Sequence, residues 1–258
     1  MLRLGRLDRL VWTGMAAGLA VGMCASTALM AQQGADWSFE GKKGPLNWGK
    51  LDPAYHACSE GKEQSPIDLH GAKRNKALQP IEFHYISSSM KIENTGHTIR
   101  VTPAAGGYII ANGVRYDLVE FHFEHPGEEI VKGKIPDMGI HMVHKSADGK
   151  IAVIGIRLNE GNANALLAAL WAHLPKTPGT NDQMTESMSP AALLPTNRAY
   201  WTYEGSLTAP PCTEGVRWLV FQQEVELSRA QLRAFAALYK VNSRLLQAPH
   251  GRKIEASE

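Results

Sequence analysis

Two signals for tight turns, Asn112-Gly113 and Asp148-Gly149, most strongly restrict what this chain can fold into. Each lies between two strand-like segments, which are residues 108–111 and 114–118 for the first turn and 140–145 and 151–158 for the second. An Asn-Gly or Asp-Gly pair between apolar runs is the strongest short-range signal for a β-hairpin. The sequence therefore predicts two hairpins with two-residue turns.

The remaining pattern predicts a single β-dominated α+β domain. Further strand-like segments are 81–85, 90–94, 98–102, 200–203 and 217–221. Residues 164–173 and 228–239 predict short helices, the second opening with Ser228 and Gln231 in capping-box spacing. Segments 37–80 and 174–199 contain scattered Pro and Gly and are predicted to be irregular. We expect a central twisted, mostly antiparallel sheet with a few short peripheral helices.

Composition and charge exclude two classes of protein. The chain has 258 residues, 44% of them hydrophobic, and a net charge of only +2, which excludes a disordered protein. The small excess of positive charge comes from residues 1–31, since residues 32–258 carry 24 basic and 24 acidic residues. Without a basic surface the chain is not expected to bind nucleic acid.

The N-terminal residues 1–31 predict export to the periplasm or the extracellular space. Three arginines precede an uncharged stretch, 10–31, that ends in small residues, as in a secretory signal. The stretch is also long enough to be an uncleaved membrane anchor, so both alternatives stay open. The mature domain is then 32–258. Its two cysteines, Cys58 and Cys212, favour a disulfide in an oxidising compartment, whereas a failure of export would favour two reduced thiols.

Histidines and acids alternate along the segment 119–126. In a strand, Glu120, His122 and Glu124 share one face, and the second strand-like segment brings His141 into the same region. Two imidazoles and a carboxylate on neighbouring strands predict a facial metal site. The alternative at this point is that the histidines are polar residues with ordinary hydrogen-bond partners.

Several motifs resemble those of one enzyme family. In chain order they are Gln64-Ser65-Pro66-Ile67-Asp68, Asn94-Thr95-Gly96-His97-Thr98, Phe121-His122-Phe123, His141-Met142-Val143-His144-Lys145 and Ser206-Leu207-Thr208-Ala209-Pro210-Pro211-Cys212-Thr213-Glu214-Gly215. Together, over residues 37–254, they resemble the α-class carbonic anhydrases, notably the exported bacterial ones. The resemblance implies a zinc site at the base of a conical cleft in the sheet, reversible hydration of CO2 to bicarbonate, and a disulfide between the two cysteines.

The resemblance also assigns metal ligands, and one of them departs from the family. His122 and His141 match the first and third of three zinc-binding histidines, but Glu124 holds the place of the second. His125 is adjacent, yet the pleat of a strand points it to the opposite face. The resemblance therefore implies a Zn²⁺ ion bound by two histidines and one glutamate.

Other departures surround these ligands. The family has a glutamate at position 139 that accepts a hydrogen bond from the third histidine, and Gly139 is expected to leave His141 without it. Glu120 replaces a glutamine and is still able to accept a hydrogen bond from His122. Glu129 replaces a histidine, and Phe39 replaces an active-site tyrosine. We expect weaker zinc binding and slower catalysis.

Much of the family's catalytic machinery is present. By resemblance, Thr208 would orient the attacking water and Glu128 would orient Thr208, while His97 would carry a proton to solvent. The apolar pocket for CO2 is matched by four residues: Val143, Val153, Leu207 and Trp218. Any of these apolar side chains would also serve as ordinary core.

Three interpretations remain open. The first is an active carbonic anhydrase with an altered zinc site. The second is an inactive member of the family that acts as a binding or structural scaffold. The third is that two histidines and one carboxylate bind iron or another metal.

Overall fold

The computed structural model describes residues 36–258, so the predicted signal or anchor, residues 1–31, lies outside the described residues. The strands of the described part are β1 (Lys73–Arg74), β2 (Glu82–His84), β3 (Ser88–Asn94), β4 (Ile99–Pro103), β5 (Tyr108–Ala111), β6 (Val114–Glu124), β7 (Met138–Lys145), β8 (Ile151–Glu160), β9 (Asn181–Met188), β10 (Tyr200–Ser206), β11 (Glu214–Phe221), β12 (Val225–Leu227) and β13 (Glu255–Ala256). The α-helices are α1 (Trp48–Leu51), α2 (Ala57–Glu60), α3 (Ala165–Ala172) and α4 (Arg229–Ala236).

The strands form one sheet in the order β1-β13-β10-β11-β8-β7-β6-β4-β3-β9. Strand β12 pairs with β8, and β5 pairs with both β2 and β6. The pairings within the described residues are antiparallel except for β1 with β13 and β8 with β11 and β12. The predicted fold class, a mostly antiparallel sheet with few short helices, is confirmed.

The two faces of the central strands have different surroundings. Phe121 and Phe123 of β6 are fully buried in the main core, together with Phe235 of α4. Since side chains alternate along a strand, the residues between them face the other side of the sheet. That second face carries a smaller apolar cluster and the candidate site.

One of the two predicted hairpin turns has the expected form. Asn112 and Gly113 both adopt positive φ, 49° and 75°, and connect β5 directly to β6. The second hairpin also forms between the predicted segments, but five residues, 146–150, connect β7 to β8 where a two-residue turn was predicted. There the N–H of Gly149 donates to the carbonyl of Ser146, so the Asp148-Gly149 pair forms the end of a longer turn.

The predicted irregular segment 174–199 contains a strand that the sequence analysis missed. Strand β9 pairs antiparallel with β3 at the edge of the sheet. Of its eight residues only Met184 is fully buried, while most of the others are exposed and polar. An edge strand with so little buried surface has no apolar alternation to reveal it.

Helix and disulfide predictions are confirmed. The capping box of α4 forms, with the Ser228 side chain accepting from the N–H of Gln231 and the Gln231 side chain accepting from the N–H of Ser228. Cys58 and Cys212 are bonded, with Cα atoms 5.1 Å apart. Among residues 36–258 no helix has the length and apolar character needed to cross a membrane.

Candidate metal centre

The register of β6 and β7 brings three metal-ligating side chains to one place. His122 lies directly opposite His141, and Glu124 follows two residues along β6 on the same face. One ligand atom from each of the three lies within 4.8 Å of the other two. The Nε2 atom of His122 and the Oε1 atom of Glu124 are 3.6 Å apart. Within residues 36–258 this is the one cluster of three such residues able to hold a metal ion.

His125 points away from the cluster, as the pleat argument predicts. Its backbone N–H donates to the side-chain oxygen of Asn242 at 2.7 Å, and its Nδ1 lies 2.8 Å from the carbonyl oxygen of Lys240. No bulge therefore brings His125 into the cluster in place of Glu124.

His122 is held by the acid two residues before it. Its Nδ1 atom lies 3.0 and 3.1 Å from the two carboxylate oxygens of Glu120. A proton on Nδ1 donated to Glu120 leaves Nε2, the nitrogen facing Glu124, as an acceptor that can bind a metal.

His141 also has a carboxylate partner, so the expectation that Gly139 deprives it of an acceptor was wrong. Its Nε2 atom lies 2.6 Å from Oε1 of Glu129. The carboxylate comes from the loop after β6 instead of from β7. Burial by itself would lower the pKa of His141, but the charge and hydrogen bond of Glu129 outweigh it and raise the pKa.

Glu124 is buried in a region rich in negative charge. Burial raises its pKa well above the usual range, and the nearby carboxylates of Glu128, Glu129 and Glu120 raise it further. Its Oε2 atom is buried and has no hydrogen-bond partner. A bound cation would compensate the charge of this buried carboxylate and offset the repulsion, and two histidines with one glutamate form a known ligand set for catalytic zinc. The residues present therefore fit a zinc ion.

Thr208, Glu128 and Arg244 form a buried group beside the cluster. Burial raises the pKa of Glu128, opposed by the charge of His141 and by hydrogen bonds from the backbone N–H of Arg244 and the hydroxyl of Thr208. The guanidinium of Arg244 donates to the carbonyl oxygens of Ser65 and Cys58 at 2.8 and 2.9 Å. Arg244 therefore fixes Glu128 to the segment that carries the disulfide.

The four residues assigned by resemblance to an apolar pocket lie in one cluster on the site face. Val143 on β7 pairs in register with Val153 on β8, which pairs with Trp218 on β11. Leu207 packs against them from the loop after β10. The Trp218 ring lies 4.8 Å from the ring of His141, measured between centroids. The apolar surface is therefore in direct contact with the candidate metal site.

His97 lies in the turn between β3 and β4 and stacks on Trp37, with ring centroids 3.7 Å apart and planes 6° from parallel. Burial lowers the pKa of His97, and the charge of Asp36 partly opposes this. Phe39 lines the same surface pocket as His97 and contacts Trp37 edge to face. The lining of this pocket includes none of the three candidate metal ligands.

Sequence reasoning missed two residues of this site, Glu129 as a partner of His141 and Arg244 as a partner of Glu128. For Glu129 a signal was present: positions 129 and 139 both depart from the resembled family, one gaining an acid and the other losing one. Arg244 has no comparable signal, because its contacts join segments far apart in the chain.

Comparisons with known proteins show the family to which the chain belongs. The family model for eukaryotic-type carbonic anhydrases matches residues 43–258. The chain is 35% identical over 237 residues to a carbonic anhydrase of Pectobacterium atrosepticum, covering 92% of this chain and 97% of that protein. It is 36% identical over 244 residues to one of Klebsiella pneumoniae, covering 93% and 97%.

A solved structure gives the same result. The complex of the α-carbonic anhydrase of Thermovibrio ammonificans with the inhibitor sulfanilamide matches with a TM-score of 0.83 and 40% identity, covering 87% of this chain and 100% of that one. Family match, sequence identity and fold agree over nearly all of the described residues. The chain therefore belongs to the α-class, or eukaryotic-type, carbonic anhydrase family.

Proposed function

We propose that this protein catalyses the reversible hydration of CO2 to bicarbonate at a zinc ion held by His122, Glu124 and His141. The observation that carries the proposal is the convergence of these three side chains beside an apolar cluster. A zinc ion bound there would supply Lewis acidity that makes hydroxide available near neutral pH. The carbonic anhydrases to which the chain is similar support the same reaction.

The polar residues around the ligands have distinct roles in this proposal. Glu120 and Glu129 hold the outward N–H groups of the two histidines, so that the opposite ring nitrogens are free to bind the metal. The hydroxyl of Thr208 donates a hydrogen bond to Glu128, which leaves its oxygen free to accept a hydrogen bond from the attacking water. The water is thereby oriented towards the substrate.

The apolar residues bind and protect the substrate. CO2 has no net charge, so the apolar side chains of Val143, Leu207 and Trp218 form a surface that binds CO2 in preference to water. His97 would receive the proton released on hydration and pass it to solvent, since an imidazole is able to exchange protons near neutral pH. Its stacking on Trp37 fixes the orientation of the ring.

One of the two observations that favoured an inactive scaffold no longer favours it. That alternative rested on Glu124 and on Gly139, and the contact from Glu129 to His141 replaces the acceptor that Gly139 lacks. Glu124 remains as a ligand that donates more negative charge than a histidine, so we propose a working enzyme that binds zinc more weakly and turns over more slowly than three-histidine relatives.

We propose that the reaction takes place outside the cytoplasm. The signal-like residues 1–31 support export, and the bond between Cys58 and Cys212 is of the kind that persists in oxidising compartments. The proposal leaves both a cleaved signal and a membrane anchor as ways of delivering domain 32–258.

The test combines metal content with CO2 hydration measured by stopped flow at several pH values. Purified protein should bind one zinc per chain and hydrate CO2 well above the uncatalysed rate. His122→Ala should abolish both, while the matched variant His125→Ala, which alters the adjacent histidine facing away, should keep both. Absence of zinc and of hydration in the parent protein would favour the scaffold, and iron in place of zinc would favour the third interpretation.

A further inference from the structure

We propose that Glu129 is the residue that positions His141, by fixing the proton of the imidazole on Nε2 and so presenting Nδ1 to the metal. The inference rests on the proposed function for its purpose, although the contact itself does not depend on a metal. The two side chains lie 2.6 Å apart and each is only 2% exposed, so water does not compete for the hydrogen bond. Neutral histidine carries one ring proton, and its partner decides which nitrogen holds it.

Two glycines on neighbouring strands make the space that Glu129 occupies. A Cβ atom on Gly139 would lie 2.6 Å from Oε2 of Glu129. A Cβ atom on Gly155 would lie 3.0 Å from both Cγ and Oε1 of the same side chain. Gly155 is also the residue directly opposite His141 in the pairing of β7 with β8. A side chain at position 139 would therefore force the carboxylate of Glu129 to move, and one at position 155 would push it by a few tenths of an ångström.

The neighbours of the Glu129 carboxylate also restrict where it can lie. Glu129 lines a small space together with Ile67, Trp218 and Val220. The two donors in the same lining are already used, since the indole N–H of Trp218 donates to the carbonyl of Ser206 and the hydroxyl of Tyr203 donates to Oγ of Ser65. The Oε2 atom of Glu129 has no hydrogen-bond partner, so His141 is the group that anchors this carboxylate through Oε1. A hydrogen bond to an ionised acceptor in such surroundings is stronger than one in water.

The arrangement explains why the acceptor for His141 comes from a loop. The Cβ atom of a glutamate at position 139 would lie in the space that Oε2 of Glu129 fills, so the carboxylate of Glu129 would have to leave its present position. The acid at 129 and the glycine at 139 are therefore a matched pair, and changing one alone should disturb His141.

The test uses variants at the two positions and three readouts: the ring tautomer of His141 by nitrogen-15 NMR on metal-free protein, zinc affinity by competition with a chelator, and thermal unfolding. Glu129→Ala should populate both tautomers and weaken zinc binding about 10–100-fold. Glu129→Gln preserves size and an acceptor oxygen, so it should keep the tautomer and weaken zinc binding less. Glu186→Gln changes an exposed glutamate that lies 3.6 Å from His173. It should change neither the tautomer of His141 nor the zinc affinity.

The second position provides a reciprocal test. Gly139→Glu in the parent protein should weaken zinc binding by displacing Glu129, whereas in the Glu129→Ala background it should restore part of the lost affinity. Non-additive effects of this kind identify residues that act on one partner.

The proposal is overturned if Glu129→Ala and Glu129→Gln both lower thermal stability while the His141 tautomer and zinc affinity stay as in the parent protein. Glu129 would then serve the fold alone. The NMR readout needs neither zinc nor activity, so a parent protein that binds no zinc would defeat the proposed function and still leave the tautomer result to decide the role of Glu129.

Discussion

Glu124 lies directly opposite Gly139 in the antiparallel pairing of β6 with β7. Like charges at directly opposite positions destabilise a sheet, so a glutamate at 139 would face a second carboxylate across the strands. The glycine avoids that repulsion and also leaves room for Glu129. The three departures at positions 124, 129 and 139 are therefore physically linked, and together they preserve a carboxylate partner for His141.

Glu124→His is expected to raise zinc affinity and to raise the rate of CO2 hydration near neutral pH. A neutral imidazole donates less negative charge than a carboxylate, so the metal retains more charge with which to lower the pKa of a bound water towards about 7. Zinc competition titrations and stopped-flow hydration between pH 6 and 9, in steps of about one unit, would measure both effects.

Glu124→Gln is the matched control for that substitution, since it keeps the size of the side chain and removes only its charge. It should bind zinc more weakly than Glu124→His, because an amide oxygen is a poorer ligand than imidazole. A parent protein that already equals Glu124→His in hydration rate and zinc affinity would show that the carboxylate lowers neither.

Acid should destabilise the fold through His144, which is buried and lies 2.7 Å from the hydroxyl of Tyr85 through its Nε2 atom. Burial lowers its pKa from 6.5 to about 4. Between these two values the unfolded chain binds a proton that the folded protein does not, so stability falls as pH drops through this window. The loss is about 3 kcal/mol when complete.

Denaturant unfolding at pH 7 and at pH 4 would test this, with His144→Gln as the comparison because its amide can still accept from Tyr85. On acidification from pH 7 to pH 4, the unfolding free energy of the parent protein should fall by about 3 kcal/mol more than that of His144→Gln. Parallel pH dependences for the two proteins would count against a neutral, buried His144.

Reduction of the bond between Cys58 and Cys212 should lower the melting temperature. The two residues are 154 positions apart, so opening the bond frees a long loop in the unfolded chain. The chain-entropy model puts the loss at up to about 5 kcal/mol. Calorimetry with and without reductant measures it, and the double variant Cys58→Ser with Cys212→Ser should be insensitive to reductant. Equal melting temperatures for oxidised and reduced protein would contradict a stabilising bond.

Trp37→Ala should raise the pKa of His97. The tryptophan ring stacks on the imidazole and removes it from water, and burial is the largest cause that lowers its pKa. An NMR titration of His97 in the two proteins would detect the change, with the exposed His70 as an internal reference. An unchanged titration of His97 would show that the stacking does not control its protonation.

The sequence predicted those parts of the structure that depend on local pattern. The hairpin at Asn112-Gly113, the capping box of α4 and the alternation that puts His122 and Glu124 on one face all follow from spacing along a short segment. Strand β9 was missed because an exposed edge strand buries almost no apolar surface.

The contact between Glu129 and His141 was missed for a different reason. The two residues are twelve positions apart and meet across a loop, in space made by glycines on two strands. A glycine in the sequence does not indicate which side chain will occupy the space beside it in the folded protein. Such contacts depend on tertiary packing, and only the structure reveals which acid reaches the histidine.

The most direct test of the central claim is a crystal structure of zinc-loaded protein with anomalous diffraction recorded at the zinc absorption edge. We predict one zinc ion bound by Nε2 of His122, a carboxylate oxygen of Glu124 and Nδ1 of His141, each at about 2.0–2.2 Å. Zinc held by the two histidines with Glu124 turned away, or no zinc at this cluster, would contradict it.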